Sequence, residues 1–202
     1  MASTNRNVFI NCPFDAAYRD LFRATIFTVK RSGFQPRCAL EVDDASENRL
    51  EKICKIIAEC RYGVHDISRT SLDRSSRLPR FNMPLELGLF IGAKKFGEDQ
   101  GAKRCTIFDT ERYRYQKFVS DIAGQDIHAH GNDPRRLIVE LAGWLRDQSR
   151  DTKVPGGRAI AVEFTRFLRW LPTICRRRRL VPDELTFGDL AQLVAAYIAE
   201  TA

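Results

Sequence analysis

The chain has 202 residues, of which 44% are hydrophobic and 29% are charged. This composition is typical of a globular protein that fills a hydrophobic core, and the length predicts one domain with a short addition. No stretch approaches the roughly 18 apolar residues of a membrane-spanning helix, so we expect no membrane partner. The chain starts without the apolar region of a secretory signal, and we therefore expect a cytoplasmic protein.

The formal net charge is +7, and the basic residues are unevenly distributed. Four consecutive arginines occupy 176–179, and a second basic group lies in the middle of the chain, at Arg77, Arg80, Lys94, Lys95, Lys103 and Arg104. Such charge indicates a nucleic acid, a phosphorylated small ligand or only a solvated face. Because no nucleic-acid-binding motif is present, we favour a solvated face or a small anionic ligand and expect no nucleic acid partner.

The cysteines and histidines do not form a metal-binding pattern. None of the six cysteines belongs to a CxxC pair, and the three histidines show no ligand spacing with them. Most of the cysteines lie in apolar stretches, which is typical of buried, reduced thiols. The acidic pair Asp43–Asp44 lacks the further acids of a divalent-metal site, and we interpret it as the start of a helix. We therefore expect no metal.

Strand-like and helix-like segments alternate along residues 7–148. The pattern predicts strands at 7–12, 34–41, 62–67, 105–108 and 127–129, and helices at 16–31, 46–60, 82–95, 113–119 and 134–148. Alternation of this kind predicts an α/β fold with a parallel five-stranded sheet and helices on both faces. The length of each unit indicates a flavodoxin-like strand order, 2-1-3-4-5.

The strand order also predicts the position of a ligand site. In such sheets the ligand lies beyond the carboxyl ends of the strands, where the strand order reverses, here between strands one and three. The residues expected there are Asn11, Pro13, Phe14, Asp66 and Ser68. The polar, arginine-rich loop 68–80 follows the third strand and leads into the next helix.

That next helix carries one carboxylate in an apolar run. Asn82 suits an N-cap and Pro84 suits a first turn, and the run that follows predicts a buried helix. Glu86 would then lie in the first turn, where free N–H groups and the helix dipole keep it ionised. Its local sequence favours an ordinary helix residue, and a catalytic carboxylate is the alternative. Gly88 and Gly92 form a smooth stripe on which a flat ligand or a strand could lie.

A polar turn at 151–158 predicts a boundary between an α/β domain, residues 1–150, and a C-terminal helical appendage, residues 151–202. The appendage contains apolar helical patterns at 159–171 and 186–199. We expect these apolar faces to pack on the chain's own sheet domain, with a share reaching a second copy or a partner protein. The arginines at 176–179 should stay solvated at the turn between the two helices.

Two motifs resemble a known group of proteins. The run Val8–Pro13 is similar to the opening strand and loop of TIR domains and of nucleoside 2-deoxyribosyltransferases, and Asn82–Gly88 resembles the helix that carries their catalytic glutamate. Residues 7–148 also resemble an uncharacterised bacterial TIR-like, deoxyribosyltransferase-like family. Two features depart from the pattern. The aspartate-rich stretch of the transferases is replaced by Arg77–Arg80, and the tryptophan–cysteine pair of many TIR helices is missing.

The resemblance implies chemistry at a glycosidic bond. Glu86 would be the nucleophile or would stabilise an oxocarbenium-like transition state, and Asp66 would bind ribose hydroxyls. Further substrate contacts implied by the resemblance are hydrogen bonds from Asn11, Ser68 and Asn82, stacking of a base on Phe14 and a phosphate contact at Arg80. The arginines ahead of Glu86 favour a phosphorylated substrate such as NAD over a plain nucleoside.

The resemblance therefore implies a hydrolase, an N-glycosidase that acts on NAD or a related nucleotide. It also implies a role as an effector in bacterial antiviral defence and activity in a self-associated form. NAD would be the substrate, and no cofactor is expected. The alternative is a TIR-like module that senses a nucleotide or binds a protein without catalysis, or a plain scaffold.

Overall fold

The computed structural model describes residues 5–41, 44–70 and 80–201. Five parallel strands form one sheet in the order β2-β1-β3-β4-β5, namely β1 Asn7–Asn11, β2 Gln35–Arg37, β3 Tyr62–Asp66, β4 Arg104–Asp109 and β5 Ile127–Ala129. The predicted α/β, flavodoxin-like sheet is thereby confirmed. β2 is shorter than expected, because the chain turns after Arg37, where the N–H of Glu41 donates to the carbonyl oxygen of Cys38.

In the described ranges, six α-helices connect and follow the strands. They are α1 Arg19–Arg31, α2 Arg49–Glu59, α3 Asn82–Phe96, α4 Pro134–Ser149, α5 Gly157–Arg177 and α6 Phe187–Thr201. Asp133 caps α4 as expected, but α2 begins three residues later than the sequence suggested. The side chain of Asn48 accepts from the N–H of Leu50 and so caps α2, whereas Ser46 is held by Asp44. None of the helices in the described ranges is long and apolar enough to cross a bilayer.

The sheet divides the apolar core into two layers. Val8 and Ile10 of β1 join a large cluster with α1, α4, α5 and α6 on one face. Phe9, between them in sequence, points to the opposite face and packs with α2 and α3. This alternation is the two-residue period of a strand buried on both faces, and it separates the helices that pack on one face of the sheet from those on the other.

The C-terminal helices belong to the larger of these core layers. The ring of Phe27 in α1 lies 5.5 Å from that of Phe164, 5.2 Å from that of Phe167 and 6.0 Å from that of Tyr197. An ion pair between Arg31 and Glu163 adds a polar contact to this packing, and the arginines at 176–179 are exposed. The expectation that the C-terminal appendage, which we also call the tail, packs on the chain's own sheet domain is confirmed.

Helix α3 differs from the expectation of a helix buried on all sides. Only Met83, Leu87 and Phe90 are buried, while Leu85 is 55% exposed. No strand of the described residues lies against Gly88 or Gly92, since a Cβ added at either position meets nothing within 4 Å, and a flat ligand on this stripe stays a prediction. The helix faces the sheet through its other side.

The close approach of sheet and helix occurs instead at Gly63 of β3. A Cβ there would lie 2.9 Å from the ring of Phe90 and 2.7 Å from Nε2 of His65. Only glycine leaves room for the α3 ring to lie on this strand, so Gly63 sets the spacing between α3 and the sheet.

Candidate functional site

Asn11 links the carboxyl end of β1 to the first turn of α3. Its side chain is 2% exposed, and Nδ2 donates to the carbonyl oxygen of Met83 at 2.8 Å. The same nitrogen lies 3.1 Å from Nδ1 of His65, whose pKa burial lowers to about 3, so this imidazole is neutral and can accept. Asn11 therefore positions the helix that carries Glu86, a role that the sequence did not predict.

Glu86 is the fifth residue of α3 and lies beyond its first turn. The expected placement among the free N–H groups is wrong, because α3 starts at Asn82 itself and Phe81 is the N-cap. The carboxylate is half-buried, and no residue in the described ranges is hydrogen-bonded to it. Burial raises the pKa of Glu86 to about 7, and the opposing influence of Arg49 is smaller. The group is therefore not held ionised by the helix, and it titrates near neutral pH.

The neighbours of Glu86 lie at the carboxyl ends of β1 and β2. Its charge contributes to the raised pKa values of Cys12, which follows β1, and of Cys38, which follows β2. Burial is the main cause of both shifts, so both thiols stay protonated and do not act as nucleophiles at neutral pH. Among the chemically reactive side chains here, Glu86 is the one suited to proton transfer or charge stabilisation.

Asp66 is the centre of a buried polar network at the end of β3. It is 1% exposed, its Oδ2 accepts from the Tyr18 hydroxyl at 2.7 Å, and its Oδ1 accepts from the N–H of Ser68 at 2.9 Å. Nε2 of His130 lies 3.0 Å from Oδ2. Because Nδ1 of His130 accepts from the N–H of Asn132 at 2.9 Å, a neutral His130 carries its hydrogen on Nε2. Both oxygens of Asp66 are thus engaged within the protein.

A second buried acid, Asp109, lies at the end of the neighbouring strand β4. Its Oδ1 accepts from Nε of Arg114 at 2.7 Å, and Nη2 of Arg114 donates to the carbonyl of Ile67 at 2.8 Å. Burial raises the pKa of Asp109, and the charge of Asp66 adds a smaller upward contribution. Asp109 was not among the site residues expected from the sequence, although it follows a predicted strand just as Asp66 ends one.

Three buried polar atoms beyond the carboxyl ends of β3, β4 and β5 have no hydrogen-bond partner in the part of the chain that the structure describes. They are Oγ of Ser68, Oδ2 of Asp109 and Nε2 of His130. The last is near Asp66 but not aligned for a hydrogen bond. Unpartnered buried polar atoms are costly, and they are suited to an ordered water or a ligand hydroxyl. Within the described ranges no three metal-ligating side chains come together as an ion would need.

The remaining expected site residues differ in exposure. Phe14 is 41% exposed, and its ring lies nearly perpendicular to that of Phe22 at a centroid distance of 5.5 Å, whereas Pro13 is buried. Arg80 and Asn82 are exposed, and an Nη atom of Arg80 lies 3.4 Å from a carboxylate oxygen of Asp15. Residues 71–79 of the predicted loop, including Arg77, lie outside the described residues, as does Asp43.

The two acids expected from the sequence, Asp66 and Glu86, lie on opposite faces of the sheet at the carboxyl ends of its strands. Asp66 points, like Val64 two residues before it, to the face covered by α1, where Tyr18 lies. Glu86 belongs to α3 on the other face. After burial, the charges of both carboxylates contribute to the raised pKa of Cys12. Both acids therefore lie near the carboxyl end of β1, but they do not form a pair.

Comparison of the chain with protein-family models, with curated proteins and with solved structures returned no match. The resemblance to TIR domains and deoxyribosyltransferases therefore rests on the two sequence motifs.

The Tyr18–Asp66 hydrogen bond gives a stability prediction. Tyr18→Phe removes a buried donor to a carboxylate, and burial together with Asp66 raises the pKa of the phenol, so the hydroxyl is protonated at neutral pH. We expect the free energy of unfolding to fall by about 1.5–3 kcal/mol. Urea denaturation of Tyr18→Phe measures it, with Tyr113→Phe as control because Tyr113 is 66% exposed. Equal losses in the two variants would contradict this account of Asp66.

Proposed function

We propose that the chain is an N-glycosidase that acts on NAD or a related nucleotide. The observation that carries the proposal is the placement of Glu86 beside the carboxyl ends of β1 and β2. Its carboxylate is half-buried, and no residue in the described ranges is hydrogen-bonded to it. Cleavage of a glycosidic bond passes through a cationic, oxocarbenium-like state, and a fixed carboxylate in a partly desolvated site stabilises such a state. Parallel sheets bind their ligands at this edge.

In the proposed reaction the bond between the ribose anomeric carbon and the nicotinamide nitrogen breaks. The bonding electrons go to the pyridinium nitrogen, so nicotinamide leaves as a neutral molecule without needing a proton. Water then adds to the anomeric carbon and loses a proton, which gives ADP-ribose. Ionised Glu86 either stabilises the cation directly or forms a transient bond to the anomeric carbon before water attacks.

The substrate contacts proposed from sequence are not equally supported. Asn82 and Arg80 are exposed at the start of α3, and Phe14 is 41% exposed, which leaves ring surface for a base. Asp66 is held by Tyr18 and Ser68, and we propose that it organises the sheet edge, while the unpartnered Ser68 hydroxyl contacts a ribose hydroxyl.

The direct experiment is incubation of purified protein with NAD, followed by chromatographic measurement of nicotinamide and ADP-ribose. The proposal expects both products in equal amounts. A parallel incubation with inosine tests the preference for a phosphorylated substrate, and it should release little hypoxanthine. No nicotinamide release at any protein concentration would refute the proposal for NAD.

The raised pKa of Glu86 predicts a pH dependence. The proposed role needs the ionised form, and with a pKa of about 7 the ionised fraction rises as pH increases through neutrality. We expect kcat/KM to fall about tenfold per pH unit below pH 6 and to level off above pH 8. A profile that declines above pH 7 would show instead that the protonated carboxyl is the active form.

The alternative function is a nucleotide-sensing module without catalysis. It is favoured because both oxygens of Asp66 accept hydrogen bonds from the protein itself. Asp66 is then not available as the second carboxylate that would act as acid or base beside Glu86. This alternative predicts that NAD or ADP-ribose raises the melting temperature by mass action while nicotinamide release stays at background.

We also propose that the protein acts as an antiviral effector in bacteria and works in a self-associated form. The apolar faces of α5 and α6 are occupied by the chain's own core. The apolar side chains that the appendage still offers to a second copy are Val162 and Val181, which are exposed. If the effector role holds, expression of the intact chain in bacteria should deplete cellular NAD. Size-exclusion chromatography with and without NAD tests the association.

A further inference from the structure

A cavity of about 590 Å³ lies beyond the carboxyl end of β2, and the C-terminal tail forms one of its walls. We call it the tail-walled cavity, and its volume is within the range of small-molecule sites. The segment after β2 and the first turns of α1 and α2 form the other walls. The residues that matter for its chemistry are Phe14, Phe22, Leu40, Arg49, Phe187 and Gly188.

Aromatic side chains from three different chain segments meet in this cavity. Phe14 precedes α1, Phe22 lies within α1, and Phe187 begins α6. The Phe22 ring is 5.5 Å from that of Phe14 and 6.5 Å from that of Phe187. Phe14 and Leu40 are each 41% exposed, although both are large apolar residues. A planar ring bound here would cover apolar surface that is otherwise open to water.

The charged groups of the cavity include acids and bases, and each acid is paired with an arginine, Asp15 with Arg80 at 3.4 Å. Arg19 and Arg23 are paired with Asp183 of the tail at 2.7 and 3.4 Å, and Glu41 is paired with Arg37. Arg49 also lines the cavity, and the described residues form no hydrogen bond or ion pair with it. An exposed guanidinium of this kind can bind a phosphate through two parallel hydrogen bonds. The adjacent helix starts are not the anion site, because Asn48 caps α2 and Thr186 caps α6.

The tail-walled cavity adjoins the Glu86 site along three segments. Arg49 lines the cavity and is the charged residue that lowers the pKa of Glu86. Cys38, whose pKa Glu86 raises, is followed by Ala39 and Leu40 of the cavity wall. Cys12, which Glu86 also influences, lies two residues before Phe14. The cavity and Glu86 therefore lie at the same end of the sheet, where Arg49 and the segments after β1 and β2 adjoin both.

We infer that the tail-walled cavity binds the phosphorylated, ring-bearing portion of a nucleotide, with Phe187 and Gly188 of the C-terminal tail as part of the binding site. The ring lies against Phe14, Phe22 or Phe187, and Arg49 binds a phosphate. This inference deepens the proposed function and rests on it for the choice of ligand. It also gives the tail a part in recognition, beyond its packing on α1.

The test is binding of ADP-ribose, which has no scissile nicotinamide, measured by calorimetry on the full-length protein. A Cβ at Gly188 would meet only Oγ1 of Thr186, at 3.8 Å, so Gly188→Phe fills the cavity without displacing backbone. Arg49→Gln removes the proposed phosphate contact from an exposed position. The controls are Gly101→Phe, where an added Cβ meets nothing within 4 Å, and Arg178→Gln in the exposed arginine run.

We expect Gly188→Phe and Arg49→Gln each to weaken ADP-ribose binding at least tenfold, while both controls bind as the unmodified chain does. The melting temperature of each variant verifies folding, and Arg49→Gln keeps the test decisive if Gly188→Phe does not fold. Undiminished binding by Arg49→Gln and by folded Gly188→Phe, or no binding by the unmodified chain, would overturn the inference.

The same variants separate this inference from the proposed activity. Cavity-dependent ADP-ribose binding without nicotinamide release would keep the cavity and reject the glycosidase. Glu86-dependent nicotinamide release with an unchanged KM in Gly188→Phe would keep the glycosidase and reject the cavity.

Discussion

Glu86→Gln is expected to reduce nicotinamide release from NAD by at least about a hundredfold, since loss of one stabilising group in an active site costs about 10²–10³ in kcat. The amide is nearly the same size as the carboxylate but carries no charge, so it cannot stabilise a cationic transition state. The measurement is product formation under single-turnover conditions, with substrate binding followed separately. Glu98→Gln, an exposed residue just beyond α3, is the matched control and should keep full activity.

The stability of Glu86→Gln distinguishes a catalytic from a structural role. Burial raises the pKa of Glu86 in the folded state to about 7, above its ordinary value of 4.5. The folded state therefore binds the proton more tightly, and ionisation of Glu86 destabilises the fold as pH rises between these two values. The amide avoids this cost, so the variant should be at least as stable as the unmodified chain at pH 8. A variant that loses activity together with stability would show that Glu86 holds the fold.

The sheet was predictable because its signals are local. Each strand is a short apolar run, and the caps and glycines between runs mark the helices, as with Asp133 before α4 and Gly33, with φ of 79°, after α1. The start of α3 was misjudged because Asn82 is a good cap in isolation, while the carbonyl of Phe81 accepts the first helical bond. One residue of difference moved Glu86 out of the first turn and changed its expected ionisation.

The buried network was not predictable from local pattern. Tyr18 and Asp66 are 48 residues apart, and His130 comes from a different strand end. Nothing in the sequence around Tyr18 distinguishes it from an ordinary core aromatic. Only the strand order, which brings the ends of β3 and β5 to one edge, makes Asp66 and His130 neighbours. For the same reason, no local pattern predicted that the C-terminal appendage would form a wall of a cavity near Glu86.

Truncation after Gln148 is expected to give a fragment that aggregates. It removes α5 and α6, which cover α1 and α4 in the larger core layer. Phe27 of α1, fully buried in the intact chain, loses three of its aromatic neighbours, and Leu141 of α4 is a fully buried member of the same cluster. Exposed contiguous apolar surface of this kind causes association.

Point substitutions test the same packing in the full-length chain. Phe167 is fully buried between α1 and α6, and Phe167→Ala should lower the free energy of unfolding by about 3–5 kcal/mol. Val162, on the same helix, is 45% exposed, and Val162→Ala should change the free energy of unfolding by less than about 0.5 kcal/mol.

The fragment truncated after Gln148 is assessed by light scattering and by binding of a hydrophobic dye. A monomeric, cooperatively unfolding fragment would show that the sheet domain is stable without the tail, and α5 and α6 would then be needed only for the wall of the cavity.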